Sequence, residues 1–133
     1  MRRKDYGVDL SDIVFNSYET DKSIKKNHSS IISKDEALDA GKIFASRVRE
    51  SIDPDALIYL FGSAINGTAD VGSDIDVAVV SKVFDDDVIR EAGRMSSMAQ
   101  GIHSEIEVHA VAVIDWLKGN PHTYEIQRWG IAV

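Results

Sequence analysis

The chain of 133 residues is 44% hydrophobic and 28% charged, the balance of one soluble globular domain able to bury a core without staples. It contains no cysteine, which excludes disulfides, zinc–thiolate sites and thiol nucleophiles and fits a reducing, cytoplasmic setting. A net charge of −7 disfavours direct grip on a nucleic-acid backbone, which needs a basic face, but leaves room for a nucleotide held through metal ions.

Residues 1–32 are polar and uneven, with an apolar cluster at Ile13, Val14, Phe15 and Tyr18 ahead of the run SIKKNHSS. They read as an N-terminal arm, partly helical or flexible. Neither a signal peptide nor a membrane span is expected, because no run reaches the roughly eighteen apolar residues that a span needs. The domain proper is expected over residues 33–133. There Ser33 and Glu36 form an S-x-x-E capping box, and Ala37, Ala40, Phe44, Val48 and Ile52 recur at helical steps. This helix should stop at Asp53-Pro54, since proline disfavours helical geometry in the residue before it.

A strand is expected over Ala56 to Phe61. Gly62-Ser63 and a turn-rich loop follow, and Asp74 and Asp76 open a second strand of near-continuous Val, Ile and Ala. Asp85-Asp86-Asp87 suits the start of a helix, where negative side chains meet the positive end of the dipole. Val88, Ala92, Met95, Ala99 and Ile102 give that helix its core stripe. Glu105 to Val113 reads as a third strand. Trp116 and Leu117 close a short segment, Gly119-Asn120 turns the chain, and Pro121 begins a last helix through Trp129. The order helix, strand, loop, strand, helix, strand, helix predicts an α/β (α+β) fold, a small mixed sheet flanked by helices.

The chemistry concentrates between Leu60 and Val80. Asp74 and Asp76 are two apart on a strand and so share a face. Ionised side by side, they need a divalent cation or strong donors, and carboxylate oxygens suit Mg²⁺ or Mn²⁺. A D-x-D pair alone is weak, since Asp74 could cap the loop while Asp76 faces water. Ten residues separate Gly62-Ser63 from Asp74, enough for the loop to bring the glycine-serine turn beside the carboxylates. Glycine permits close backbone approach to a phosphate, and free amides with the Ser63 hydroxyl could hold its oxygens. Metal plus phosphate cradle points to a nucleoside triphosphate.

Glu105 and Glu107 share a face of the third strand, and either could supply a third carboxylate. Glu107 is favoured, because it is embedded in the apolar run where an unpaired acid costs most; Glu105 is expected to be solvated. His109, on the same face, is expected to be a packed core residue.

The stretch FGSAINGTADVGSDIDVAVV resembles the G-S-x10-D-x-D signature of the nucleotidyltransferase superfamily that includes DNA polymerase beta, and its minimal nucleotidyltransferases in particular. The resemblance covers roughly Lys34 onward. It implies a nucleotidyltransferase-like fold and transfer of a nucleoside monophosphate, AMP from ATP, to an acceptor hydroxyl with release of pyrophosphate. It further implies that Asp74, Asp76 and Glu107 hold two Mg²⁺ ions, that Glu107 receives the acceptor's proton, and that Gly62 and Ser63 hold the terminal phosphates. The chain departs from the pattern in two places. Ala64, Ile65 and Asn66 stand where small members often carry basic or bulky residues, and the third acid is glutamate rather than aspartate.

Other readings fit less well. Gly62 and Gly67 have the spacing of a phosphate loop, but Thr68 replaces its lysine. Phe61 spoils a G-x-S-x-G elbow, and DIDVAVV lacks the glycine of an EF-hand. In haloacid-dehalogenase-type phosphatases the apolar strand precedes the acids, whereas here it follows them. From a different class, the chain resembles the antitoxin half of a pair with a helical HEPN-type ribonuclease toxin, a binding module with a vestigial site. Self-association into a homo-oligomer is compatible with so small a domain.

Overall fold

The computed structural model describes residues 8–9 and 31–133. The expected arm, including Ile13, Val14, Phe15 and Tyr18, lies outside the described residues except at its positions 8, 9, 31 and 32. The described elements are β1 (Val8–Asp9), α1 (Lys34–Ser51), β2 (Leu57–Phe61), α2 (Ser63–Asn66), β3 (Ile75–Val80), a 3₁₀ turn (Lys82–Asp85), α3 (Val88–Ile102), β4 (Ile106–Val111), α4 (Val113–Lys118), α5 (Pro121–Trp129) and β5 (Ile131–Ala132). The fold is α+β. Its sheet has the order β1-β4-β3-β2-β5, with β3 and β4 parallel and the other pairs antiparallel.

Strand alternation sorts the side chains into two layers. Ile58, Leu60, Ile75, Val77, Val79, Ile106 and Val108 share a core with the α1 stripe Ala37, Ala40, Phe44 and Val48 and with Ala92, Met95 and Ala99 of α3. The other face buries Phe61 and Ala78 against Ile126 of α5, with Tyr59 and Trp116 at its margin. Period-2 strands between period-3.6 helices give this sandwich directly. The helix α1 lies close on the sheet at Gly41, where an added Cβ would sit 2.7 Å from both methyl carbons of Leu60.

The ends of the elements have identifiable chemistry. Ser33 caps α1 through its Oγ, which accepts from Glu36 N at 3.0 Å, while the Glu36 carboxylate meets His103 Nε2 at 2.7 Å. In the acidic triplet, Asp87 caps α3 by accepting from Arg90 N, whereas Asp85 closes the 3₁₀ turn. Asn120 and Thr123 form a reciprocal capping box on α5, with Pro121 in its first turn. No helix among the described residues is long and apolar enough to cross a membrane.

Several boundaries and elements differ from expectation. The third strand is shorter than 105–113, because the chain turns into α4 at Val113; Trp116 and Leu117 belong to that helix. The second strand begins at Ile75, leaving Asp74 just ahead of it. Ser63 to Asn66 form a helical turn rather than open loop, with the Ile65 and Asn66 amides both donating to Gly62 O at 3.1 Å. The edge strands β1 and β5 were not expected; two residues carry no readable periodicity.

A buried polar clasp joins the end of α1 to the sheet. Asp53, 2% exposed, accepts from Ser81 Oγ at 2.6 Å and from Asp55 N at 2.9 Å. Ser81→Ala is expected to lower stability by about 1–3 kcal/mol, because it leaves a buried carboxylate short of a donor. Urea denaturation measures this, and an unchanged midpoint would contradict it.

Candidate active site

Pairing register brings residues distant in sequence into one row. Asp76 lies opposite Phe61 across the antiparallel pair and opposite Glu107 across the parallel pair. The neighbours of Asp76 along β3, Ile75 and Val77, are fully buried on the core face, so Asp76 takes the opposite face. Glu107, set between Ile106 and Val108, follows the same alternation. The two carboxylates therefore converge because β3 and β4 run parallel and in step.

Gly62 completes this end of the sheet. Its φ of +84° with ψ −167° lies in a region essentially reserved for glycine. A Cβ there would collide with Asp76 Oδ2 and approach its Cγ to 3.2 Å, so the absent side chain lets the backbone pass directly beside this carboxylate. Ser63 follows on the first turn of α2. Gly67 ends that turn in the left-handed conformation. The loop back to β3 is then pinned by Thr68 donating to Asn66 Oδ1 from its amide (3.1 Å) and hydroxyl (2.6 Å). The Asp70 and Ser73 side chains add a second clasp, at 3.1 Å.

Among the described residues, Asp76, Glu107 and His109 each offer one ligand atom, all within 4.8 Å of one another. His109 Nε2 is 3.1 Å from both Asp76 Oδ1 and Glu107 Oε1. Phe61 packs against the imidazole at 5.0 Å in an edge geometry, and the His122 ring lies 6.1 Å away. His109 thus corrects the expectation of a packed core residue: it is partly buried and joined to both acids. The spacing E-x-H on a strand was the available signal, since residues two apart share a face.

Asp74 ends the loop just ahead of β3 and is not one of these three residues. One further expectation needs adjustment. Glu105 is not solvated: it is 8% exposed. Its carbonyl accepts from Ile75 N at 2.8 Å, which ties the residue under the start of β3, and its Oε1 is buried without a hydrogen bond.

The electrostatics follow from the cluster. Burial pushes the His109 imidazole down, but its hydrogen bonds and the charges of Asp76 and Glu107 outweigh this and raise it from 6.5 to about 9. Because the folded value lies above the unfolded one, the stabilisation is fully present below about pH 6.5 and is lost as pH rises through about 9. In chelator-treated protein the urea midpoint should therefore fall between about pH 6 and pH 10, with a smaller fall in His109→Gln. Equal midpoints for the wild type across that range would contradict the pairing.

Two carboxylate oxygens and an imidazole nitrogen converging on one point are a donor set fit for a divalent cation. The side-chain-free approach of Gly62 leaves backbone beside the same point. Comparison with known proteins agrees with that chemistry. A family model described as a nucleotidyltransferase domain matches residues 42–123, more than half of the chain, from the first half of α1 into α5. No curated protein matches the chain, and no solved structure does.

Proposed function

The chain belongs to the nucleotidyltransferase domain family, and on that premise we propose that it transfers AMP from ATP to a hydroxyl of a protein or small-molecule acceptor. The domain that does so spans residues 33–133. The observation that carries the reading is the row Gly62, Asp76, Glu107, in which a glycine-only turn meets two convergent carboxylates.

In this reading Asp74, Asp76 and Glu107 hold divalent ions, Mg²⁺ or Mn²⁺. When bound, such ions stabilise the attacking and leaving oxygens together. Gly62 lets the backbone approach the terminal phosphates, and the Ser63 hydroxyl donates to their oxygens. The acceptor oxygen forms a bond to the α-phosphorus, the bond to the α–β bridging oxygen breaks, and pyrophosphate leaves. The hydroxyl proton passes to Glu107. Positioning and charge stabilisation supply most of the rate.

Labelling distinguishes this from phosphoryl transfer. With extract of the source cell as acceptor pool, α-labelled ATP should mark an acceptor in the presence of Mg²⁺ and γ-labelled ATP should not. Transfer of the γ label would contradict the reading.

A second reading, an antitoxin-like module that neutralises a HEPN-type ribonuclease toxin, is favoured by exposed apolar side chains on α4 and α5. Ile114, Leu117, Tyr124 and Trp129 are all more than half exposed, and exposed apolar area of this kind suits a partner surface. Here the acidic chain would face a basic partner. The variant Asp74→Asn/Asp76→Asn should then still bind that ribonuclease, and loss of the complex would count against it.

A further inference from the structure

The family reading asks for carboxylates, yet the structure aims a nitrogen at the same point. His109 is one strand step beyond Glu107, and its Nε2 is 3.1 Å from Asp76 Oδ1 and 3.1 Å from Glu107 Oε1. Neighbouring ligands of an octahedral ion, with metal–ligand bonds of about 2.0–2.2 Å, stand about 2.8–3.1 Å apart. The imidazole nitrogen therefore stands at cis-ligand spacing from each carboxylate oxygen, and one ligand atom from each of the three residues falls within 4.8 Å of the others. The imidazole is also held in place: Phe61 packs on it edge-on, and its strand is paired in register with β3.

We propose that His109 is a metal ligand beside Asp76 and Glu107, forming a two-carboxylate, one-imidazole site that prefers a first-row transition ion such as Mn²⁺ to Mg²⁺. This rests on the family reading of the site and deepens it. Imidazole is a softer donor than carboxylate, and nitrogen ligation favours transition ions, whereas Mg²⁺ keeps to oxygen and water. The sequence makes the same point from another side. Ala64, Ile65 and Asn66 leave the turn after Gly62-Ser63 without a basic residue, so a bound ion would be the source of positive charge beside that turn.

The probe is Mn²⁺ alone, added to the full chain and followed by pulsed electron paramagnetic resonance. The expected result is a ¹⁴N coupling on the bound Mn²⁺ that changes on ¹⁵N-histidine labelling. It should be retained in His122→Gln and lost in His109→Gln. Titration should show His109→Gln weakening Mn²⁺ binding about tenfold or more, and Mg²⁺ binding less than about threefold. The wild-type coupling is informative even where a variant fails to fold. Bound Mn²⁺ with no nitrogen coupling overturns the ligand assignment while leaving the family reading intact. A chain that binds neither Mn²⁺ nor Mg²⁺ overturns both.

Discussion

Asp74→Asn/Asp76→Asn is expected to lower nucleotidyl transfer at least about a thousandfold, about 4 kcal/mol of transition-state stabilisation, with the far-ultraviolet circular dichroism unchanged. Asparagine keeps the size of each side chain and one oxygen acceptor, so the amide at position 76 can still receive a hydrogen bond from His109. What it removes is negative charge at the point where β3, β4 and the Gly62 turn meet. Asp76 is the member placed by the fold, locked between Phe61 and Glu107 in the pairing register. Asp74 lies one residue ahead of the strand, so Asp76→Asn alone should carry most of the loss. Retained transfer in the double variant would remove these carboxylates from the chemistry.

Gly62→Ala is expected to abolish transfer and to destabilise the fold by about 1–3 kcal/mol. Two costs combine. Alanine does not tolerate φ +84° with ψ −167°, and its Cβ would drive into the Asp76 carboxylate. Either the turn rearranges or Asp76 moves, and each outcome separates backbone from carboxylate. Gly67→Ala is the control. It also has positive φ, at +85°, but a Cβ there meets nothing within 4 Å, so it should cost about 1 kcal/mol and spare the site. Urea denaturation and a transfer assay on both variants decide the point: equal behaviour of the two would show that contact with Asp76 has no role.

Helices α1 and α3 were legible in the sequence because Phe44, Val48, Ala92, Met95 and Ala99 repeat at helical steps over many residues. Strands β2 and β3 were legible as short β-branched runs between turn signals. The parallel pairing of β3 with β4 was not, because register is a long-range property that no local pattern encodes. That pairing is what makes Glu107 the neighbour of Asp76 and brings His109 into contact with both. A histidine judged by itself reads as core; judged as the end of an E-x-H alternation on a strand paired with the aspartates, it reads as a member of the cluster. Glu105 was misjudged for a related reason. Its position at the entry of the expected strand suggested water, whereas its carbonyl accepts from Ile75 N and the residue is 8% exposed. Helix α4 was missed because six residues offer too little periodicity, and β5 because two offer none.

The central claim is that one end of this sheet is a metal-dependent nucleotide site, and calorimetric titration of ATP into the full chain tests it most directly. Saturable binding is expected in Mg²⁺ or Mn²⁺, abolished by chelator and abolished in Asp74→Asn/Asp76→Asn. Binding of equal affinity in chelator, or in that variant, would contradict it.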